Sequence, residues 1–268
     1  MNIQTDSARD GGDGTVGKAL DVLDRVAAFG RPVRFSELLE KAPFPKATLY
    51  RLVQTLTKQG MLRFEAERGT YAPGMRLVRM AHAAWAQSSL APLARTHLDA
   101  LSRAVGETVH LAQLDGGHVL YVDKRNAARP VPMFSEAGKV GPAYCTGVGK
   151  AMLAFLPPAE LDAMLARQSW HRFTPATLTD EGAMRAELAA VREAGHAFDR
   201  EEHEPGIHCI AMPILTASGR MLGAVSVTSS TDRGPLDGLK RHLPQLGQAV
   251  ERIAGDMRDW RFPDQRED

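Results

Sequence analysis

Cysteine is nearly missing from this chain: Cys145 and Cys209 are the only two in 268 residues. So few exclude a disulfide-stapled scaffold and fit a reducing compartment. Long apolar runs are missing as well, since no stretch approaches the ~18–20 residues that a bilayer span needs. The first fourteen residues are rich in Gly and Asp and hold no apolar segment of the kind a secretory leader carries, so a cytoplasmic protein without a membrane partner is expected. Zinc patterns such as HExxH or paired CxxC are lacking. No internal repeat interrupts the chain between its two polar tails. What is there is a folded protein of ordinary apolar content, 44%, and long enough for two domains.

The net charge of +1 hides an asymmetry. Residues 16–80 hold twelve Lys/Arg against six Asp/Glu, whereas residues 81–268 hold twenty against twenty-three. A basic head on a neutral-to-acidic body fits a polyanion-binding segment joined to a body with another task, and equally a solvated basic helical surface.

Residues 1–15 form a disordered tail by composition. Val16, Ala19, Leu20, Leu23, Val26 and Ala27 then recur at helical spacing until Gly30 and Pro32. A short second helix opens at Phe35, with Ser36 as N-cap and Glu37 at the positive end of the dipole. Ala42-Pro43-Phe44 breaks it, and Pro45 starts a third helix that runs to Gly60. Leu49, Leu52, Val53 and Leu56 give that helix an apolar stripe, while Lys46, Ala47, Thr48, Tyr50, Arg51 and Gln54 supply small, hydrogen-bonding and cationic groups elsewhere on it. Residues 61–64 and 70–72 read as a hairpin whose tip carries Arg68. Helix, short helix, turn, amphipathic helix and hairpin is the order of a winged helix-turn-helix over residues 16–74. In that motif the helix after the turn enters the major groove of double-stranded DNA. A small three-helix domain with a basic surface is the competing reading.

Residues 75–90 read as a linker helix, with Leu77, Met80, Ala81, Ala84 and Trp85 on one side. The body, 91–258, is α+β: helices are expected over 91–105, 145–156, 158–167 and 181–194. Strands are expected over 108–114, 119–124, 131–135, 196–200, 207–215 and 221–228, and one closing helix over 236–257. Asp115-Gly116-Gly117-His118 and Ser218-Gly219 mark turns. Without βαβ alternation these elements predict one antiparallel sheet flanked by helices, followed by a C-terminal tail over 259–268.

Chemistry is sparse in the body. Gly147-Val148-Gly149-Lys150 fails the phosphate-loop pattern at Tyr144 and Ala151, and Met152 stands where a dinucleotide fingerprint needs glycine. A helix start that offers free N–H groups to an anion survives, beside the plainer reading of an ordinary capped helix. Asp199, Glu201, Glu202, His203, His208 and Cys209 crowd together, as a metal set or as an acidic loop entering a strand. Cys145 is a possible nucleophile or a small buried apolar residue. The period of two puts Leu222, Ala224, Ser226 and Thr228 on one strand face and Ile207, Cys209, Ala211 and Pro213 on another. Small and hydroxyl-bearing residues there line a pocket for a small polar ligand or leave room for a crossing helix.

Ser36-Glu37-Leu38-Leu39 and the run from Phe44 to Leu56 followed by Gly60 resemble the helix-turn-helix of the IclR-type bacterial transcriptional regulators. Cys145 to Ala151 and Phe198 to Ala211 resemble two further motifs of the same family, in the same order. The resemblance implies a winged helix-turn-helix, a linker helix and a GAF-like effector domain. It also implies homodimers, often paired as dimers of dimers, and no enzymatic activity; no cofactor and no metal are expected. It implies an effector site matched here by Gly147, Val148, Asp199, Cys209, Ser226 and Thr228, with a small carboxylate as effector. The reading is a repressor or activator of a catabolic operon whose operator binding responds to that acid. The rivals are a cysteine- or metal-dependent enzyme acting on a small acid, and a constitutive DNA-binding protein without effector.

Overall fold

The computed structural model describes residues 14–87 and 90–259. The expected polar tails lie outside the described residues, apart from Gly14, Thr15 and Asp259, as do Ser88 and Ser89 of the expected linker helix and the side chains of Ala84 and Trp85. The chain divides into two compact units between Gln87 and Ser88.

In the first unit, α1 (Thr15–Ala28), the short β1 (Val33–Arg34), α2 (Phe35–Lys41) and α3 (Lys46–Lys58) precede the hairpin of β2 (Leu62–Glu65) and β3 (Thr70–Pro73). The strands pair antiparallel in the order β1-β3-β2. Val22, Val26, Val33, Leu38, Leu49 and Val53 form the centre of the unit's core. The strand β1 is not among the expected elements, and it displaces the expected cap. Arg34 is paired in the sheet, the chain enters α2 directly at Phe35, and Ser36 lies inside the helix rather than at its N-cap. Glu37 does the capping instead: its carboxylate accepts the Arg34 N–H at 2.9 Å, and a 2.6 Å hydrogen bond from Arg31 leads in holding its pKa down at about 2. The following helix, α4 (Met75–Gln87), sets Leu77 against the core and leaves Met75, Val78 and Met80 exposed.

The second unit begins with α5 (Leu90–Val105) and the hairpin β4 (Thr108–Asp115) and β5 (His118–Arg125), then β6 (Val140–Pro142). Three helices follow: α6 (Gly147–Leu153), α7 (Pro158–Leu165) and α8 (Glu181–Ala194). The strands β7 (Ala197–Arg200), β8 (Ile207–Leu215) and β9 (Met221–Ser230), a 3-10 helix (Leu236–His242) and α9 (Leu243–Asp259) complete the unit. All six strands form one antiparallel sheet in the order β6-β5-β4-β9-β8-β7. One face packs on α5 and α9 through Leu98, Val225, Val227 and Leu246, the other on α6 to α8 through Met152, Leu165 and Met184.

Three expectations fail for local reasons. Residues 131–135 form no strand: Pro130 and Pro132 have no N–H to give a ladder, and β6 pairs with β5 instead. The closing helix is not continuous. Pro244 has no N–H and its ring clashes with the carbonyl four residues earlier, so the α-helix starts afresh at Leu243 behind a 3-10 turn. Leu222 leaves the face of Ala224 and Ser226, because the register of β8 on β9 shifts between Ile214 and Leu215. Met221 faces the α6 side and Leu222 the α5–α9 side.

The element that sets up the rest of the unit is α6. A Cβ on Gly149 would stand 2.1 Å from the carbonyl oxygen of Ala143, so only glycine permits this approach. One residue on, the fully buried Lys150 ammonium pairs with Glu202 and, at 2.9 Å, with Glu187. Gly149→Ala should therefore cost about 1–3 kcal/mol through forced overpacking. Lys150→Ala should cost about 3–5 kcal/mol, because two carboxylates lose their buried cation. Urea unfolding followed by circular dichroism measures both; midpoints unchanged from wild type would contradict this account of α6.

Candidate functional site

Two regions gather the residues singled out in the sequence. The first is the outer face of α3. Its apolar side is spent in the core, since Leu49, Leu52, Val53 and Leu56 are buried. That leaves Lys46, Ala47, Tyr50, Arg51 and Gln54 exposed and Thr48 half-buried at the flank. Tyr50 is 55% exposed and stands edge-on to Phe35 at 5.9 Å between ring centres. Arg68 stands exposed in the turn between β2 and β3. On the same hairpin Phe64, not singled out in the sequence, is 46% exposed and packs on Tyr71.

The second region is a cavity on the α6 side of the large sheet. Gly147, Val148, Asp199, Cys209, Ser226 and Thr228 all line it. Gly147 is required by contact: a Cβ there would lie 2.4 Å from the Cys209 sulfur. Thr146 caps the helix, its hydroxyl donating to the Pro142 carbonyl at 2.9 Å and accepting the Gly149 N–H at 3.3 Å. Asp199 on β7 stands opposite Cys209 on β8 and accepts the Glu202 N–H at 2.8 Å. Burial, with the negative charge of Glu202 adding to it, raises the Asp199 pKa to about 7. Burial also pushes the thiols of Cys145 and Cys209 far above the usual thiol range, so neither is a thiolate.

The effector site expected from the sequence lacks His110, Tyr121, Ser135 and Glu204, which stand on the wall of this cavity, as do Thr146 at the start of α6 and His203 of the crowded acidic segment. His110 stands opposite Ser226 in the register of β4 on β9, a placement that alternation along β4 alone does not give. Ser135 and Glu204 come from irregular segments, and no periodicity marks them. Glu204 accepts the Phe134 N–H at 2.9 Å, which ties the segment between β5 and β6 over the cavity. His203 lies between Phe134 and Phe173 at 5.1 and 4.8 Å, and burial lowers its pKa to about 4. The cavity encloses about 30 Å³, and among the described residues no lysine or arginine lines it.

The crowded acidic segment does not converge. Asp199, His203 and Cys209 face this cavity, Glu202 turns to Lys150, and Glu201 and His208 line a separate hollow of about 250 Å³ beside Arg200 and Thr231. Among the described residues no three His, Cys, Asp or Glu side chains are grouped to hold a metal ion. Nor is any helix there long and apolar enough to cross a membrane.

Comparison with known proteins addresses both units. Residues 15–66 match the IclR helix-turn-helix domain, and residues 82–255 match the family described as bacterial transcriptional regulator IclR, C-terminal. The HTH-type transcriptional regulator XynR of Escherichia coli K12 is 33% identical over 244 residues, covering 90% of this chain and 97% of XynR. The crystal structure of Thermotoga maritima IclR superposes with a TM-score of 0.74 at 29% identity, over 91% of this chain and 98% of that one. An IclR homologue from Microbacterium hydrocarbonoxydans, solved in complex with 4-hydroxybenzoate, shares the fold with a TM-score of 0.80 at 24% identity, over 92% of this chain and all of that one. With both domains matched in order over most of its length, the chain belongs to the IclR family of bacterial transcriptional regulators.

Proposed function

We propose that this regulator binds double-stranded operator DNA through α3 and the hairpin tip, and that a small organic acid seated in the cavity changes its operator affinity and so controls a catabolic operon. The observation that carries the effector half is the cavity itself. Buried hydroxyls of Ser226 and Thr228, the imidazole of His110 and the carboxyl of Asp199 converge on one small space, and Nε2 of His203 on the same wall is buried without a hydrogen-bond partner. Buried polar groups cost free energy unless they are hydrogen-bonded, and a polar ligand is one way to meet that cost. The Microbacterium hydrocarbonoxydans homologue, which holds 4-hydroxybenzoate, supports an acid as the ligand class. As it stands the space suits water, so an acid enters only as the segment carrying Phe134 and Ser135 yields. The protonated thiols speak against a cysteine enzyme.

A ligand shifts DNA affinity only by its differential affinity for two arrangements of the protein. In this reading the protein acts in the cytoplasm, where the operator is, as a homodimer on an imperfect palindrome or as a dimer of dimers on two of them.

Arg51→Ala should cost about 1–3 kcal/mol at the cognate operator and relax its sequence preference. Arg68→Ala should weaken binding to all sequences alike and lower the salt slope. Fluorescence anisotropy on cognate and scrambled duplexes separates the two, and full affinity with full preference in the Arg51 variant would remove α3 from the reading role.

Ser226→Ala deletes one donor without adding bulk. Loss of a hydrogen bond to a charged group costs about 1.5–3 kcal/mol, so effector affinity should fall roughly ten- to hundred-fold. Operator affinity without effector should stay as in wild type. Calorimetric titration with 4-hydroxybenzoate as the first probe, beside anisotropy, makes the comparison. Undiminished acid affinity in this variant would place the effector elsewhere.

A further inference from the structure

We propose that His203 reads the far end of the effector: its Nε2, buried on the cavity wall without a hydrogen-bond partner, selects carboxylates that carry a hydroxyl at the end away from the sheet over carboxylates that end in an apolar group. The inference rests on the reading of the cavity as an acid site and deepens it, since it names the second functional group of the acid and the residue that meets it.

The wall of the cavity has two sources. Ser226 and Thr228 reach it from β9, in the interior of the sheet, whereas His203 reaches it from the stretch between β7 and β8, outside the sheet. The segment between β5 and β6 lies beside His203, because the Phe134 N–H donates to the carboxylate of Glu204, the next residue, at 2.9 Å. The imidazole packs against Phe134 and Phe173, and neither phenyl ring offers it an oxygen or a nitrogen. Among the described residues three buried side-chain polar atoms lack a hydrogen-bond partner, and Nε2 of His203 is the one whose residue lines this cavity.

Buried polar atoms in folded proteins are paired as a rule, and an orphan lowers the stability of the free protein. A ligand group that pairs the orphan recovers that cost on binding, and a ligand without such a group leaves it in place. Burial holds the His203 ring neutral, with its pKa down at about 4, so Nε2 either donates or accepts one hydrogen bond. A hydroxyl satisfies both cases, because it donates and accepts; a methyl group satisfies neither. A carboxylate is the wrong group for this end. Glu204 stands next to His203 on the same wall, and among the described residues no lysine or arginine lines the cavity to offset two negative charges brought together. The carboxylate therefore belongs with the hydroxyl donors of the sheet, and the hydroxyl with His203.

Calorimetric titration of the full-length protein with two pairs of acids tests this. In each pair a hydroxyl is exchanged for a methyl at constant shape: 4-hydroxybenzoate against 4-methylbenzoate, and 5-hydroxypentanoate against hexanoate. Wild type should bind the hydroxy acid of at least one pair about tenfold more tightly than its methyl partner. His203→Phe, which sets a phenyl ring between Phe134 and Phe173, should abolish that preference, and His203→Gln, whose amide stands near the place of Nε2, should keep it. His203→Phe should also unfold in urea at a higher midpoint than wild type, because the orphan is gone. Preference for the hydroxy acid in neither pair, or a preference that survives in His203→Phe, overturns the proposal while acid binding itself stands. Heat from none of the four acids overturns the acid reading of the cavity and the proposal with it. A lowered midpoint in His203→Phe means that the nitrogen is already satisfied in the free protein, which also overturns it.

Discussion

The close seating of α6 on the sheet is the constraint on which the second unit turns. Two glycines make it possible, one facing the Ala143 backbone and the other the Cys209 sulfur. The seating carries Lys150 into a position with no solvent access, where it becomes the shared cation of Glu187 and Glu202. Arg200 adds to the same cluster from the end of β7, 2.7 Å from Glu187. Buried ion pairs gain little net stability over apolar packing, but breaking one leaves a charge stranded, so the cluster fixes the geometry of α6, α8 and β7 against one another.

Electrostatics in the cavity follow from that commitment. The buried Lys150 ammonium is paired with two other carboxylates, so burial and the charge of Glu202 outweigh the backbone N–H and the attraction of Lys150 at Asp199, and its pKa rises. The same desolvation keeps His110 neutral and the thiols protonated. Neutral donors and acceptors thus make up most of the polar wall.

The first unit divides its labour along one helix. Four residues of α3 hold the core together, and the residues between them stay in solvent. The small sheet, in which β3 lies between β1 and β2, holds the hairpin beside it. Because Arg34 belongs to that sheet, α2 starts without a turn of its own, and the Arg31–Glu37 pair sits where an ordinary side-chain cap would be.

By itself the sequence determined every element whose signal is local. The bounds of α8 and β8 are those that periodicity and capping dictate: Asp180 accepts the Ala183 N–H at 2.8 Å and Gly195 closes α8 in the left-handed conformation. The stripe of α3 and the glycine start of α6 were legible for the same reason, and so were the faces carrying Cys209, Ser226 and Thr228, since alternation along one strand needs no knowledge of its neighbours. Tertiary structure decided what alternation cannot express. It ran β9 beside β4, which set His110 against Ser226, and it folded an irregular segment over the sheet so that Ser135 and Glu204 joined the wall. It shifted the register near Leu215 and turned Leu222 to the other face. A period of two tells which side of a strand a residue occupies; only pairing and packing tell which residues from distant parts of the chain share that side.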